Sequence, residues 1–576
     1  MKRHCKNKIY SLILVASTVL LTMQPFGVYA NNTSDNIPSS ADHVEQIQAE
    51  IDTNAQSFLL SETERPEYIS RNEVEKNGFV RRLSEYDESL NSITLQDQDG
   101  TNTTYIFSEN VKYIDSAGVI KDKKSTLTEN ITELAYQDQY AYTNTNNDVR
   151  MYFPNSIGEN TGVVLEKEDI RIELTPVQAK KIATTAKSIS LNQINAQAAT
   201  PIRKQINQLQ DGQTVTKDAI DYDAVFGTNT TLRYTPTLNG FKEDIILDTY
   251  DGTNEFVFRL KTNGLRLVCQ DEQYFLVHPT SGKIAVQMGE LLVYSEGSTE
   301  MNTEYQHRYE ASTVTENEEY LLTVIVDESF LLSESTQYPV VIDPSFEICS
   351  NDNHIMDISV RINGTVIPNS TNDGTGNHYT EKNDMRTFIK FPGLYNNSLI
   401  YSLHPPGYGT GDDQEVESIK LQMYSRGTSI VDGDVKVYAY NTASSLDWDY
   451  NTTNFTQAQY NALGNLWSTT EVPRNVPQWV EFNITKAAYP SVDKGIVLVN
   501  EYVGAGNDPA YQSFASTKDP INKPRIVVTW SGATNDSFNT AVKMTLASSH
   551  NVNIPDGTTK RYFYFIPEVT GFYTFR

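Results

Sequence analysis

Short apolar runs separated by turn residues cover the chain from about residue 66 to residue 530. In the stretch 418–424, Ile419, Leu421 and Met423 alternate with polar neighbours, which is the pattern of a strand with one buried and one wet face. β-Branched and aromatic residues dominate the runs, and both types favour strands. The pattern predicts a mainly all-β, multidomain protein.

The predicted strands fall into two regions. In the first they occupy residues 103–107, 111–114, 170–174, 244–247, 255–260, 274–277 and 320–326. In the second they occupy residues 386–391, 418–424, 435–440, 480–484, 495–499 and 525–530. Asn-Gly, Asp-Gly and Ser-Gly pairs punctuate the first region with residues that accept a positive φ. A β-sandwich or jelly-roll is the natural architecture for the second region.

Helical patterns interrupt these strands at few places. Residues 179–197 are rich in Ala, Lys, Gln and Ile and predict a helix. Residues 456–463 predict a short helix that Gly464 would end. In the polar segment 31–65, residues 42–58 could form an isolated amphipathic helix, although a mobile leader is the favoured interpretation.

The stretch 338–344, Tyr-Pro-Val-Val-Ile-Asp-Pro, predicts a domain boundary. Its β-branched residues favour a strand, and the following Asp-Pro pair biases the backbone away from a regular continuation. We therefore expect a β-rich domain at 66–345 and a β-sandwich at 346–531. Residues 532–576 resemble the start of a third β domain and are too few for a core of their own, so we expect a truncated product or a partial sequence.

The first thirty residues predict a secretory signal peptide. Four cations come before an apolar stretch at residues 9–21, and Val28-Tyr29-Ala30 supplies a cleavage site after Ala30. An uncleaved anchor is the alternative, but the apolar stretch is shorter than the ~20 residues that a spanning helix needs. We expect a secreted, extracellular protein, associated with the cell wall or released, without membrane contact after cleavage.

Charge and cysteine content narrow the partners and the stabilising forces. Cleavage would remove four cations and no acid, which takes the net charge from −27 to −31. Such a charge disfavours nucleic acid and anionic lipid as partners. Only Cys269 and Cys349 follow the signal, so a single disulfide or two separately buried thiols are the alternatives, and apolar cores must supply most of the stability.

Several motifs together resemble a known family. The first region is similar to the N-terminal β region of secreted RHS-repeat, wall-associated proteins of Gram-positive bacteria, in residues 109–115, 118, 121–122, 153–154, 240–247, 256–258, 264–265 and 338–344. The second resembles the DNRLRE type of carbohydrate-binding-like module, in residues 386–391, 419–421, 448, 467, 479–484, 495–499 and 524–530. The letters DNRLRE do not occur in the chain. Larger members of this family continue into repeats and a C-terminal toxin, and neither follows in this sequence.

Catalytic motifs are not found in the sequence. It has 8 His, and we find no Gly-x-Ser-x-Gly elbow, His-Glu-x-x-His or paired Cys-x-x-Cys. A serine or cysteine triad would need a partner for His278 or His354. Close acidic pairs such as Asp412-Asp413 are expected by chance among 73 acidic residues. We predict no enzymatic activity and no required cofactor.

Sugar binding is the candidate function of the second region. Trp448, Trp467 and Trp479 lie close in sequence, and exposed aromatic rings stack on sugar rings. Packing in the sandwich core is the alternative for any two of them. The 34 Tyr residues permit carbohydrate binding and also suit ordinary sheet surfaces.

Calcium binding is a weaker candidate. Asp373, in the stretch 372–377, and the pair Asp432 and Asp434 place oxygen ligands in turn-like sequences that Ca²⁺ could use. Turns of this composition need no metal, and this is the favoured interpretation.

Two functional hypotheses follow, with a weaker third. The first is a secreted, non-catalytic modular protein that binds cell-wall or extracellular polysaccharide, as the DNRLRE resemblance implies. The second is the export and attachment portion of an RHS-type polymorphic toxin without its repeats and toxin domain. The third is an accessory region of a polysaccharide-degrading enzyme.

Overall fold

The computed structural model describes residues 59–86, 89–98, 100–129, 131–158, 160–177, 199–210, 213–270, 273–289, 291–295, 307–349, 354–367, 372–377, 384–392, 394, 415–426, 433–440, 444–448, 452, 454–473, 476–485, 495–500, 511–517, 519, 522–531, 542–543 and 563–564. These residues belong to one compact unit, residues 59–576. The predicted signal peptide with its cleavage at Ala30, nearly all of the leader and the predicted helix at 179–197 lie outside them.

Helices are few and short in this part of the chain. Helix α1 is Arg71–Asn77, α2 is Glu328–Leu331 and α3 is Gln457–Tyr460, and 3-10 turns occur at Ser84–Tyr86 and Ser444–Leu446. Ser70 caps α1 by accepting a hydrogen bond from the backbone N–H of Glu73, and Gly78, with φ 67°, ends it. The helices therefore follow local capping signals rather than long amphipathic patterns.

Strands dominate every described region. Before residue 180 they are β1 Phe79–Arg82, β2 Ser92–Asp97, β3 Asn102–Phe107, β4 Lys112–Ile114, β5 Ile120–Asp122, β6 Leu127–Thr128, β7 Tyr140–Asn144, β8 Arg150–Pro154, β9 Val163–Lys167 and β10 Ile170–Val177. Between residues 199 and 349 they are β11 Pro201–Gln210, β12 Gln213–Asp223, β13 Thr230–Pro236, β14 Gly240–Leu247, β15 Glu255–Lys261, β16 Arg266–Gln270, β17 Gln273–Val277, β18 Ile284–Met288, β19 Leu292–Ser295, β20 Arg308–Thr315, β21 Glu319–Ile325, β22 Val340–Asp343 and β23 Ser345–Ile348. After residue 353 they are β24 Met356–Arg361, β25 Val366–Ile367, β26 Asn372–Asn377, β27 Asp384–Lys390, β28 Glu415–Ser425, β29 Gly433–Tyr440, β30 Leu463–Val472, β31 Gln478–Asn483, β32 Ile496–Asn500, β33 Tyr511–Ala515, β34 Arg525–Ser531, β35 Val542–Lys543 and β36 Phe563–Tyr564. The predicted all-β class is confirmed.

Three large antiparallel sheets contain most of these strands. A 14-stranded sheet follows the order β1-β2-β3-β34-β28-β33-β26-β27-β32-β29-β30, with β31 beside β28 and β24 joining β25 to β27. A 10-stranded sheet follows β11-β12-β13-β14-β23-β18-β17-β16, with β22 bridging β14 and β19. An 8-stranded sheet follows β20-β21-β15-β10-β9-β8-β7-β6. Two pairs lie apart from these sheets: β4 with β5, which is antiparallel, and β35 with β36, which is parallel.

Two main apolar cores stabilise the sheets. One joins the 8- and 10-stranded sheets through fully buried rings such as Phe153, Phe241, Phe256 and Phe346. The other lies within the 14-stranded sheet and includes Ile106 of β3 and Trp530 of β34, both fully buried. Burial of such side chains contributes about 1.5–3 kcal/mol each. The cores therefore supply the stability that the cysteines do not.

Strand pairing crosses the predicted boundary at residue 345. Strands β1, β2 and β3 belong to the 14-stranded sheet, where Tyr105 pairs with Val527. In the other direction, β23 begins at Ser345 and pairs with β14 of the first region. The division into domains remains a prediction. The strand pairs show that residues before and after position 345 lie side by side in the same sheets.

Three details differ from the sequence-based expectations. Helix α3 ends at Tyr460, and Gly464 lies inside β30 rather than at a helix end. The second face of β28 is partly covered, because Gln422 is buried and accepts a hydrogen bond from Arg525. Cys269 and Cys349 form no disulfide with each other, and Cys269 is exposed rather than buried.

Candidate functional site

A cleft of about 340 Å³ lies where strands from both predicted regions meet, and we refer to it below as the cleft. It is lined by Glu67, Tyr68, Phe107, Ser108, Glu109, Val111, Ser125, Lys217, Thr235, Pro236, Thr237, Leu238, Lys242, Tyr294, Glu347, Trp479, Lys523, Pro524 and Arg525. The end of β3, the β13–β14 turn, β23, β31 and the start of β34 all contribute. This volume is at the lower end of the range for small-molecule sites.

A tight turn forms one wall of the cleft. Pro236 at the end of β13 pairs with Phe241 of β14, and the backbone N–H of Thr237 donates to the carbonyl of Gly240 at 2.8 Å. An added Cβ on Gly240 would lie 1.9 Å from the carbonyl oxygen of Phe346. Glycine therefore lets β14 approach β23 closely, at the end of the turn that contains Thr237.

A largely buried ion-pair triad lies beside this wall. The Lys523 ammonium is 2.8 Å from a carboxylate oxygen of Glu109 and 2.8 Å from one of Glu347. Burial raises the pKa of Glu347, and the charge of Lys523 opposes this rise. Burial lowers the pKa of Lys523, but the two carboxylates outweigh burial and raise it above its usual value. The triad joins residues that lie 414 positions apart in the chain.

A second lysine of the cleft, Lys242, is buried and also fully paired. Its ammonium is 2.7 Å from Asp244 and 2.9 Å from Asp343, and it donates to the Tyr294 hydroxyl at 3.2 Å. Burial lowers the pKa of Lys242, while these carboxylates raise it to a net value well above the usual range. At neutral pH the Lys242 side chain is charged, and its ion pair with Asp343 links β14 to β22.

Arg525 at the start of β34 connects several elements. It donates two hydrogen bonds of 2.8 Å to the Glu73 carboxylate and one of 2.7 Å to Gln422. Its guanidinium lies 5.1 Å from the ring centroid of Tyr105 and 4.7 Å from that of Trp479. The charge-assisted hydrogen bonds to Glu73 fix the guanidinium, and its cation–π contact holds the Trp479 ring in place.

Four polar side-chain atoms of the cleft are buried without a hydrogen-bond partner among the described residues. They are Ser108 Oγ, Thr235 Oγ1, Thr237 Oγ1 and Trp479 Nε1. Ser108 is 7% exposed and Thr235 is 3% exposed. A hydroxyl can donate or accept, whereas an indole N–H only donates. The cleft therefore has unused hydrogen-bonding capacity, although its charged groups are paired.

The structure places the three predicted tryptophans in different surroundings. Trp479 lines the cleft. Trp448 is 3% exposed and packs in a core beside Phe455, so it offers little ring surface to a sugar. Trp467 is partly buried against the core of the 14-stranded sheet. Only one of the three thus lies in the cleft.

The predicted calcium ligands stay untested. The backbone of Asp373 lies in β26, its side chain and all of Asp432 lie outside the described residues, and Asp434 is exposed on β29. Within the residues that can be described, His, Cys, Asp and Glu side chains form no group of three or more suited to a metal ion. A search of the same residues finds no helix long and apolar enough to span a membrane.

Sequence reasoning missed most of the cleft. Ser108, Thr235 and Thr237 are single hydroxyl residues at strand ends, and no spacing rule distinguishes them from ordinary turn residues. The Lys523-Pro524-Arg525 run was a usable signal, because two cations flank a proline where the apolar part of a strand, residues 526–528, begins, and cations at such a place need partners if they are buried. Their partners lie hundreds of residues away, which local patterns do not reveal.

The chain is similar to two curated proteins of Bacillus subtilis. It is 24% identical over 304 residues to the tRNA(Glu)-specific nuclease WapA of subspecies natto, strain BEST195, and equally to the tRNA nuclease WapA of strain 168. The match covers 50% of this chain and 12% of each relative. The chain thus corresponds to a small part of these proteins. No family model matches the chain, and the DNRLRE resemblance gains no support.

Solved structures give only a weak likeness. The exo-beta-1,3-galactanase of Phanerochaete chrysosporium is 10% identical, with a TM-score of 0.12, covering 74% of this chain and 99% of that structure. This score is too low to carry an argument about fold or function.

Proposed function

We propose that this chain is a non-catalytic, extracellular attachment module of a WapA-like protein, and that it holds cell-wall or matrix polysaccharide. The similarity to WapA proteins supports the wall-associated family inferred from sequence motifs. Because the match covers only 12% of each relative, the nuclease activity in their names is not transferred to this chain.

The pairing of charges in the cleft is the observation that carries this proposal. All four cations that line it have carboxylate partners: Lys217 with Glu67, Lys242 with Asp244 and Asp343, Lys523 with Glu109 and Glu347, and Arg525 with Glu73. Groups engaged in this way stabilise the junction between strands and are poor candidates for proton transfer or for binding phosphate. This pairing of charges agrees with a scaffold that binds an uncharged polymer.

Attachment and nuclease activity can be tested on the same preparation. Residues 31–576 are incubated with isolated Gram-positive cell walls and with insoluble polysaccharides, and the bound fraction is measured after sedimentation. The same protein is incubated with tRNA and divalent cations, and the products are separated by gel electrophoresis. We expect retention on at least one glycan and intact tRNA.

Matched controls make both results decisive. Native protein centrifuged without any wall or polysaccharide gives the background in the pellet, and tRNA treated with a known ribonuclease gives the reference cleavage pattern. Cleavage of tRNA at stoichiometric enzyme would overturn the non-catalytic assignment. Recovery of all the folded protein in the supernatant, with every wall and polysaccharide, would overturn the attachment role.

A further inference from the structure

We infer that the cleft is a binding site for a neutral, hydroxyl-rich ligand of one or two sugar rings. This inference rests on the proposed function and names the chemistry that one site would recognise. It depends on the four buried polar atoms of the cleft and on the ion pairs that engage the charged side chains around them.

The polar atoms define the hydrogen bonds that a ligand would make. Buried polar groups in proteins are nearly always hydrogen-bonded, yet Ser108 Oγ, Thr235 Oγ1, Thr237 Oγ1 and Trp479 Nε1 have no partner among the described residues. Three of these groups can donate or accept and the fourth can only donate. Sugar hydroxyls also donate and accept, so one ring can satisfy several of these groups at once.

The charges favour a neutral ligand over an acidic one. Each cation of the cleft is already within 3.4 Å of a carboxylate oxygen. An anionic ligand would have to compete with these carboxylates for the same ammonium and guanidinium groups. A neutral ligand leaves the ion pairs intact and needs only the uncharged donors and acceptors.

The indole N–H is positioned before any ligand arrives. The Trp479 ring lies 4.7 Å from the Arg525 guanidinium and meets Tyr424 edge-on, with ring centroids 5.7 Å apart. Arg525 is itself fixed by the two hydrogen bonds that its Nη2 donates to the Glu73 carboxylate. A donor held by such contacts loses little freedom on binding, which favours affinity.

Three variants test the inference in the whole mature chain. Ser108→Ala and Thr235→Val each remove one unpartnered hydroxyl with little change in shape, and Trp479→Phe removes the indole N–H while keeping an aromatic ring. Wild type and variants are titrated with cellobiose, maltose and N,N′-diacetylchitobiose by isothermal titration calorimetry, and with glucuronic acid for comparison. We expect saturable binding of a neutral sugar, weakened about tenfold by each variant, and weaker binding of glucuronic acid.

Two control variants separate binding from structure. Thr175→Val removes another unpartnered buried hydroxyl, on β10 and away from the cleft, and should leave sugar affinity unchanged. Trp467→Phe should likewise leave the affinity and the sugar-induced fluorescence change intact, whereas Trp479→Phe should abolish that change. Because the deleted hydroxyls have no partner, Ser108→Ala and Thr235→Val should melt at or above the wild-type temperature.

The outcomes are distinct for the two proposals. Absence of saturable binding to every neutral sugar, or wild-type affinity in Thr235→Val and Trp479→Phe, would mean that the cleft holds ordered water only and would overturn the inference. If the protein is still retained on walls in that case, the attachment proposal survives. If soluble sugar binds while wall retention fails, the cleft site stands and the attachment proposal falls.

Discussion

Buried carboxyl groups near the cleft fall into two electrostatic classes. Glu347 has Lys523 at 2.8 Å, so its negative charge is compensated. Glu243, 1% exposed on β14, lies opposite Tyr234, and its Oε1 has no hydrogen-bond partner among the described residues. Burial raises the pKa of Glu243 to about 8, opposed by the Tyr234 hydroxyl and assisted by the neighbouring Asp244 charge. At neutral pH this carboxyl is mainly protonated in the folded protein.

Glu243 should make stability fall as the pH rises. The unfolded chain releases this proton near pH 4.5, whereas the folded protein keeps it until about pH 8. Between these values the folded state binds more protons, so the free energy of unfolding decreases with increasing pH. Between these pH values the free energy of unfolding should fall by a few kcal/mol less in Glu243→Gln than in the wild type, since each pKa unit corresponds to about 1.4 kcal/mol.

Urea denaturation of wild type and Glu243→Gln at pH 5 and pH 8.5 measures the effect. Glu255→Gln, at an exposed position on β15, serves as the matched control and should follow the wild type. Other buried carboxyls are present in both proteins, so the informative quantity is the difference between the two pH profiles. Parallel profiles for wild type and Glu243→Gln would contradict the prediction.

Single strands were predictable where burial follows a simple alternation. The pattern of Ile419, Leu421 and Met423 located β28, and all three side chains are buried. The predicted strand at 244–247 omitted the first four residues of β14, which include Lys242 and Glu243. All eight residues of Gly240–Leu247 are buried, and Lys242 tolerates this because two carboxylates compensate its charge. Local hydropathy does not contain that information.

The close approach of β14 and β23 depends on Gly240. A methyl group there would lie 1.9 Å from a backbone oxygen, so the strands must separate to accept it. We expect Gly240→Ala to destabilise the protein by roughly 2–4 kcal/mol and to lower the melting temperature. At Gly464 the nearest contact of an added Cβ is 3.0 Å, and Gly464→Ala should cost clearly less. Equal melting temperatures for the two variants would exclude this account.

Several predictions failed or stayed open because contacts between distant residues decide them. Trp479 reached the cleft through the pairing of β31 with β28, and no feature of its own sequence separated it from Trp448 in the core. The hydroxyls of the cleft form a site only because the fold brings β3, β13 and β34 together. The β class could thus be read from the sequence, whereas the candidate site required the topology.

Across the whole molecule, the second β region relies on the first. Strand β34 pairs with β3 along Thr103 to Phe107, Trp530 Nε1 donates to Thr104 Oγ1 at 2.9 Å, and Arg525 binds Glu73. Removal of residues 59–110 would expose an edge of β34 and leave a buried arginine without its carboxylate. Loss of one partner of a buried ion pair costs about 3–5 kcal/mol.

A chain of residues 346–531 should therefore be less stable than one of residues 59–531. We expect a lower melting temperature by circular dichroism and faster hydrogen exchange at the β34 amides that face β3. The amides of β29, which pairs with β30 and β32 on the far side of the same sheet, provide an internal reference. Identical protection of β34 in both chains would show that the second β region does not depend on the first.

The bond between Thr104 and Trp530 joins residues 426 positions apart. A ribosome adding about 5–20 residues per second would finish β34 some 20–85 s after β3. For that interval the nascent β1–β3 meander has one edge without its final neighbour, and such edges promote aggregation. Folding of the 14-stranded sheet must wait for the arrival of β34, so newly made chains should depend on a holding chaperone until late in synthesis.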